Sequence, residues 1–216
     1  MSPVPRLSAI IFQEQGNLEI AAALFRFRKA LFVDERGWKL PVDSDVEMDQ
    51  FDTDVANYCA LYANDTIVGG FRAIRCDYPY LGRGLFPHLA TTRPYPDRPD
   101  YWEISRFGVR RCHSKYGLVL YAVMFRFAEM RRARALVAVA DLSHERLLGK
   151  LGIRTRRYGP PAWLGSEQCA EPIQIVAGEI PIAEQDRARL QFLRTSADAV
   201  EIRDDTLVWR PAAVSA

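Results

Sequence analysis

The sequence predicts an α/β fold: a mixed sheet, antiparallel at its start, with helices on both faces. Three observations lead there. Two β-rich runs at 55–63 and 66–75 flank Asn64-Asp65, a dipeptide that favours a tight hairpin turn. An amphipathic stretch precedes them. From residue 101 onward, strand-like and helix-like segments alternate, the pattern that packs helices against both sides of a sheet. With 216 residues, 49% of them hydrophobic, the chain is long enough for one substantial core and short for two, so residues 1–216 are expected to form one domain.

The elements follow in order. Apolar residues recur at helical spacing over 18–33, with Asn17 placed to cap the first turn and Gly37 just past the end. Arg28 and Phe32 are four apart and share a face of that helix. Residues 39–54 lose all periodicity, include Pro41 and gather Asp43, Asp45, Glu47, Asp49, Asp52 and Asp54, which reads as an acidic loop. Beyond the hairpin, residues 76–100 are rich in Pro, Gly and Arg and read as a long connection, which in a compact domain is usually functional or mobile. A strand is expected at 101–109 and a mostly apolar helix at 114–134, where residues 118–125 are apolar on all sides and therefore buried. A short strand at 135–140, a helix at 143–151 closed by Gly152, a strand at 172–178 and a polar helix at 183–197 complete the pattern.

The strand at 101–109 contains an irregularity. Glu103 and Arg106, three apart, would point to opposite faces of a regular strand. The apolar pattern changes phase at the same place: Trp102 and Ile104 share one parity, Phe107 and Val109 the other. A one-residue β-bulge near Ser105 would put all four apolar residues on the core face and bring Glu103 and Arg106 together on the other. An ordinary salt-bridged strand pair is the plainer alternative.

Composition excludes several classes. The formal charge is +2, and only Lys29, Lys39, Lys115 and Lys150 among the cations are lysines. The basic group Arg131, Arg132 and Arg134 at a helix C-terminus complements the helix dipole and calls for no nucleic acid, although it also suits an acidic carrier protein. Cys59, Cys76, Cys112 and Cys169 show no close pairing and the N-terminus lacks an apolar signal core, so a reducing cytoplasm is expected. No apolar run approaches the ~20 residues of a membrane span, and stable membrane insertion is not expected. His88, His113 and His144 are scattered, which gives no metal site. Gly82-Arg83-Gly84 lacks the third glycine and the strand-to-helix setting of a dinucleotide loop.

Nine residues of the first half fall into four spaced sets: Arg28, Phe32 and Trp38; Asp49 and Asp52; Arg72 with Phe86; Glu103 and Arg106. They mix cations, carboxylates and aromatics without a Ser, Cys or His nucleophile, which suits binding a charged, partly aromatic small molecule and moving its protons. Arg28 and Arg72 sit in apolar surroundings, and a buried Arg needs a partner; Asp49 and Asp52 are natural ones. As spaced here, Arg28-x3-Phe32-x5-Trp38, Glu47-Met48-Asp49-Gln50-Phe51-Asp52, Gly69-x2-Arg72 and Glu103-Ile104-Ser105-Arg106 closely resemble the acyl-homoserine lactone synthase family, the makers of bacterial quorum-sensing signals. The resemblance is strongest over 24–110 and weaker to about 178.

That resemblance implies a fold similar to the GCN5-related N-acetyltransferases with a bulged central strand. It also implies an acyltransferase that moves an acyl group from acyl-CoA or acyl-carrier protein to the amine of S-adenosylmethionine, then closes the lactone and releases methylthioadenosine. S-adenosylmethionine is a co-substrate, and no tightly bound cofactor is implied. Glu103 is the candidate base and Arg106 its catalytic partner. Arg28, Phe32, Trp38, Asp49, Asp52, Arg72, Phe86 and Phe107 form the substrate site, and Trp38 can offer a π face to the sulfonium cation. The acidic loop is expected to fold over S-adenosylmethionine and to be mobile without it, its carboxylates repelling one another until arginines neutralise them.

Two departures qualify the resemblance. Ordinary acetyl-CoA enzymes of this fold cradle pyrophosphate with a glycine-rich loop after the bulged strand, but here Arg110–Tyr116 contains no glycine, which disfavours acetyl-CoA. Asp141 stands three residues ahead of His144-Glu145-Arg146 where family members carry Thr or Ser; an ionised carboxylate cannot donate to a 3-oxo group, so 3-oxo-acyl donors are disfavoured. The competing readings are an N-acyltransferase for another amine and a non-catalytic binding relative, against which Glu103 speaks.

Overall fold

The computed structural model describes residues 5–165, 167 and 169–206. Strand β1 (Leu7–Phe12) leads into helix α1 (Leu18–Arg28), which widens into a π-helical segment over Lys29–Glu35. Two short strands, β2 (Val42–Asp43) and β3 (Val46–Glu47), make a small hairpin of their own. Next come β4 (Asn57–Ala63) and β5 (Thr66–Arg75), helix α2 (Leu81–Leu85), β6 (Tyr101–Val109), helix α3 (Gly117–Met130) and β7 (Ala135–Asp141). Helix α4 (Leu142–Lys150), β8 (Arg156–Arg157), β9 (Ala162–Leu164), β10 (Ile173–Pro181), helix α5 (Arg187–Asp198) and β11 (Glu201–Asp204) complete the chain.

The main sheet has nine strands in the order β11-β1-β4-β5-β6-β7-β10-β8, with β9 also on β10. β1 with β11 and β6 with β7 are parallel; the other pairs are antiparallel. Two cores lie on its two faces. One packs Leu120, Val123 and Phe127 of α3 and Leu193 of α5 against Ile11, Leu61 and Trp102. The other packs Leu24 and Phe25 of α1 and Leu81 of α2 against Phe12, Tyr58 and Ile74. Helices on both faces of a mixed sheet with an antiparallel start match the expectation.

Several elements differ from the sequence reading. Asn17 does not cap α1 with its side chain; its amide donates instead to the Gln13 carbonyl at 3.1 Å. Strands β1 and β11 were not expected, nor was α2 inside the 76–100 connection, and the acidic segment contains β3, whose Glu47 is fully buried. The final helix begins at Arg187 after a 3₁₀ turn. Arg131 is no surface docking cation: its side chain is 9% exposed and paired with Asp204 of β11 at 2.7 Å. Cys59, Cys76 and Cys169 are buried and Cys112 exposed, all free thiols. Among the described residues, no helix is long and apolar enough to cross a membrane and no group of side chains suits a metal ion.

The bulge expected near Ser105 is present. Gly70 faces Gly108 and Arg72 faces Ser105, so Phe71 alone opposes Arg106 and Phe107, and Arg106 takes φ 52°. Trp102 and Ile104, and beyond the bulge Phe107 and Val109, all pack on the α3 side. The turn of β6 has a second effect. β6 and β7 pair only from Tyr101 to Glu103 against Ala135 to Val137, while β7 goes on pairing with β10 as far as Asp141. Beyond Glu103 the two central strands part, and the sheet opens.

Candidate active site

A cavity of about 450 Å³ occupies that opening. On the α1 side its wall includes Phe32, Trp38, Asp49 and Phe86; on the α3 side it reaches Tyr121, Met124, Leu148 and Ile180, with Arg106 and Phe107 where β6 turns. It therefore passes through the sheet between β6 and β7. Most of the wall is apolar.

Trp38 is placed by the end of the π segment. Gly37, at φ 67°, donates its N–H to the Val33 carbonyl while Trp38 donates to the Phe32 carbonyl, a pair of nested bonds each one residue wider than in the Schellman ending of an α-helix, as suits a π segment, with the left-handed residue at the glycine. The chain folds back so that the Trp38 ring stacks on Phe32 at 5.0 Å. A π-type widening at a functional site is a common device for re-aiming side chains.

One wall is built on a cluster of three arginines and three carboxylates, of which Arg106 and Asp49 reach the cavity. Arg28 donates to Glu47 at 2.6 Å and by both terminal nitrogens to Asp52 at 2.7 and 2.8 Å. Arg72 donates to Asp49 at 2.5 Å and to Ser105 Oγ at 3.1 Å, and Arg106 donates to Glu47 at 2.8 Å and to Asp49 at 2.7 Å. All six side chains are 5% exposed or less, so each charge depends on its partners. Burial alone would raise the Asp52 carboxyl, but the hydrogen bonds and charge of Arg28 hold it well below the usual range. The repulsion expected among the acidic residues is relieved, as expected, by arginines, and these come from α1, β5 and β6.

Of the residues singled out from sequence, Phe32, Trp38, Asp49, Phe86, Arg106 and Phe107 line the cavity; Arg28, Asp52, Arg72 and Glu103 stand behind its wall. The first three of these hold Asp49 and the loop in place rather than facing the space. Glu47 is the member that sequence reasoning left out, although it lies two residues from Asp49, the spacing that puts side chains on one side of an extended chain. Ser105 and Tyr58, which donates to Asp52 at 3.1 Å, were also missed.

Glu103 is completely buried. Its Oε1 accepts the Gly82 N–H at 2.8 Å, and its Oε2 has no hydrogen-bond partner among the described residues. Burial pushes its carboxyl above the ordinary value, against the charges of Arg72 and Arg106. Such a carboxyl, strongly perturbed by burial and flanked by two guanidinium groups, is what marks Glu103 as a candidate for proton chemistry.

At the other end of the cavity, Tyr121 and His144 are joined at 2.5 Å and burial lowers the His144 imidazole, which keeps it neutral at physiological pH. Asp141 caps α4 through the His144 N–H at 2.8 Å.

The mixed sheet is bulged and parted, with a charged cluster on one side and a mostly apolar channel through it. A model of the autoinducer synthase family matches residues 12–190, and the chain belongs to that family. An acyl-homoserine-lactone synthase from Acinetobacter nosocomialis is 32% identical over 162 residues, covering 69% of this chain and 88% of the relative. Among solved structures, TofI in a ternary complex with an inhibitor and MTA is similar at TM-score 0.73 and 30% identity, over 85% of this chain and 96% of that one. The CoA-dependent acyl-homoserine lactone synthase BjaI, with SAM and isopentyl-CoA, shares the fold at TM-score 0.79 and 23% identity, over 91% and 93%.

Proposed function

We propose that the chain, acting as one synthase domain over residues 1–216, transfers an acyl group from a thioester to the α-amine of S-adenosylmethionine and then forms the homoserine lactone, a quorum-sensing signal. The observation that carries this reading is the cavity's two-sidedness: a polar wall of Asp49, Arg106 and aromatic rings on one side of the sheet, an apolar channel on the other. S-adenosylmethionine suits the first, with its sulfonium against the Phe32 and Trp38 rings and its carboxylate on Arg106. An acyl chain suits the second. The thiol carrier, acyl-CoA or acyl-carrier protein, leads away through the parted strands, and either presents the same thioester.

A thioester is already activated, so the reaction needs a neutral amine, placement and stabilisation of the oxyanion rather than a covalent nucleophile. An α-ammonium titrates near pH 8. Glu103 takes its proton, and because Glu103 stands behind the wall the transfer runs through a bridging water. The amine attacks the thioester carbonyl, the thiolate leaves, and the amide remains. The methionine carboxylate then attacks its own γ-carbon, the C–S bond breaks, and methylthioadenosine departs. Asp141 stays ionised, since hydrogen bonds from Ser143 and His144 outweigh its burial, which disfavours 3-oxo-acyl groups.

Mass spectrometry of the purified protein with S-adenosylmethionine and a panel of acyl-CoA and acyl-carrier-protein thioesters tests the reading. Lactone and methylthioadenosine in equal amounts are expected. Transfer to another amine with no lactone from any donor overturns it.

A further inference from the structure

The connection between β5 and β6 presses α2 onto Glu103, and its far end is fastened two strands away. Glu103 stands beside Val137 of β7, and Val137 beside Glu179 of β10, so the two glutamates share one row across the sheet. Glu179 is 5% exposed, a costly place for a carboxylate without partners. It has two. The Tyr158 hydroxyl donates to it at 2.5 Å and Arg93 donates at 3.2 Å, with the guanidinium over the Tyr158 ring at 4.8 Å. The same corner grips the connection by its backbone, because the N–H groups of Thr92 and Arg93 both donate to the Tyr158 carbonyl, at 2.8 and 3.1 Å.

From this anchor a series of contacts runs back to Glu103. The Tyr158 ring meets the Tyr95 ring at 5.3 Å, and the Tyr95 hydroxyl donates to the Phe86 carbonyl at 3.1 Å. Tyr95 also lies against Gly82 so closely that a Cβ there would come to 3.1 Å of its ring. The Gly82 N–H is the group that reaches Glu103.

We propose that Glu179 is a positioning residue for Glu103: with Arg93 and Tyr158 it clamps the 76–100 connection, keeping the Gly82 N–H on one carboxylate oxygen of Glu103 and bulk water away from the other, so that only the single bridging water of the proton transfer reaches it. The proposal rests on Glu103 as the proton acceptor. The groups that face Glu103 are Arg72 of β5, Arg106 of β6, and Cys76, Tyr80 and Tyr95 of the connection. Releasing the clamp loosens the last group, admits bulk water and leaves both arginines in place.

The test uses the full chain and compares Glu179→Gln, Arg93→Gln, Glu103→Gln and the double variant Glu179→Gln with Glu103→Gln, by initial rates across pH and by thermal melting. Glu179→Gln and Arg93→Gln are expected to lower kcat about tenfold. KM for S-adenosylmethionine should stay within about twofold, and the acid limb of the rate profile should move to lower pH as water reaches the carboxylate. In the Glu103→Gln background, Glu179→Gln should cost nothing further, as expected of residues acting as a unit. An equal loss in both backgrounds, an unmoved acid limb or an unchanged kcat overturns the proposal. Wild-type turnover in Glu103→Gln alone would remove Glu103 as the base and the proposal with it, a failure visible without any Glu179 variant.

Discussion

Glu103 and Arg106 stand three residues apart on β6 and face the same side of the sheet because Arg106 adopts φ 52° and Phe71 on β5 opposes two residues. A non-glycine residue held in the left-handed region costs roughly 1 kcal/mol or more and persists where its surroundings fix it. Here Glu47 and Asp49 fix the Arg106 side chain.

Arg106→Lys keeps the charge but loses the planar fork that serves two carboxylates at once. Calorimetry and initial rates are expected to show weaker S-adenosylmethionine binding together with lower turnover. A variant that lost turnover alone would place Arg106 outside ground-state binding.

Glu103→Gln should leave S-adenosylmethionine affinity nearly unchanged while turnover falls by roughly the 10²–10⁴-fold of a lost general base. Stability should move the other way. Because burial raises the folded-state pKa of Glu103, the folded protein holds that proton more tightly than the unfolded chain, and stability is lost as pH rises through the folded value. The variant is therefore expected to be more stable than the parent at pH 8 and no more stable at pH 4, read from urea midpoints.

Glu47→Gln removes the carboxylate that Arg28 and Arg106 share while leaving both cations buried. Breaking such a pair costs about 3–5 kcal/mol, which a denaturant titration would register. Asp52 gives the related acid sensitivity: its depressed carboxyl adds stability above its unfolded pKa, and that contribution disappears as pH falls toward the folded value.

Residues 46–52 should resist hydrogen exchange without S-adenosylmethionine, since their carboxylates are already paired within the chain and the Asp49 N–H donates to Asp52 at 2.8 Å. Exchange of this segment as fast as that of the exposed residues 43–45 would show that the cluster needs its ligand.

Much of this was legible in the residues. The phase change between Ile104 and Phe107 located the bulge, and isolated arginines in apolar sequence pointed to buried pairs. Glu47 stayed hidden because six acidic residues in a segment without periodicity give no sign of which are covered; burial there comes from arginines contributed by α1, β5 and β6. Strand β11, with Glu201 and Arg203 in a four-residue run, has no apolar pattern of its own and exists by pairing with β1. Nor can sequence show that Glu103 stands behind the cavity wall, because α2, which covers it, arises in a stretch rich in Pro and Gly.

The ion cluster also bears on how long a folded molecule lasts. Arg106 reaches 59 residues back to Glu47, and Arg72 reaches 23 back to Asp49. Contacts across such separations close large loops and are expected to form late, after the local β4–β5 hairpin has paired. Interactions absent from the folding transition state act mainly on the unfolding rate. Weakening any of these pairs should therefore shorten the native lifetime more than it slows refolding, so the side chains that shape the pocket also set the rate at which the enzyme is lost.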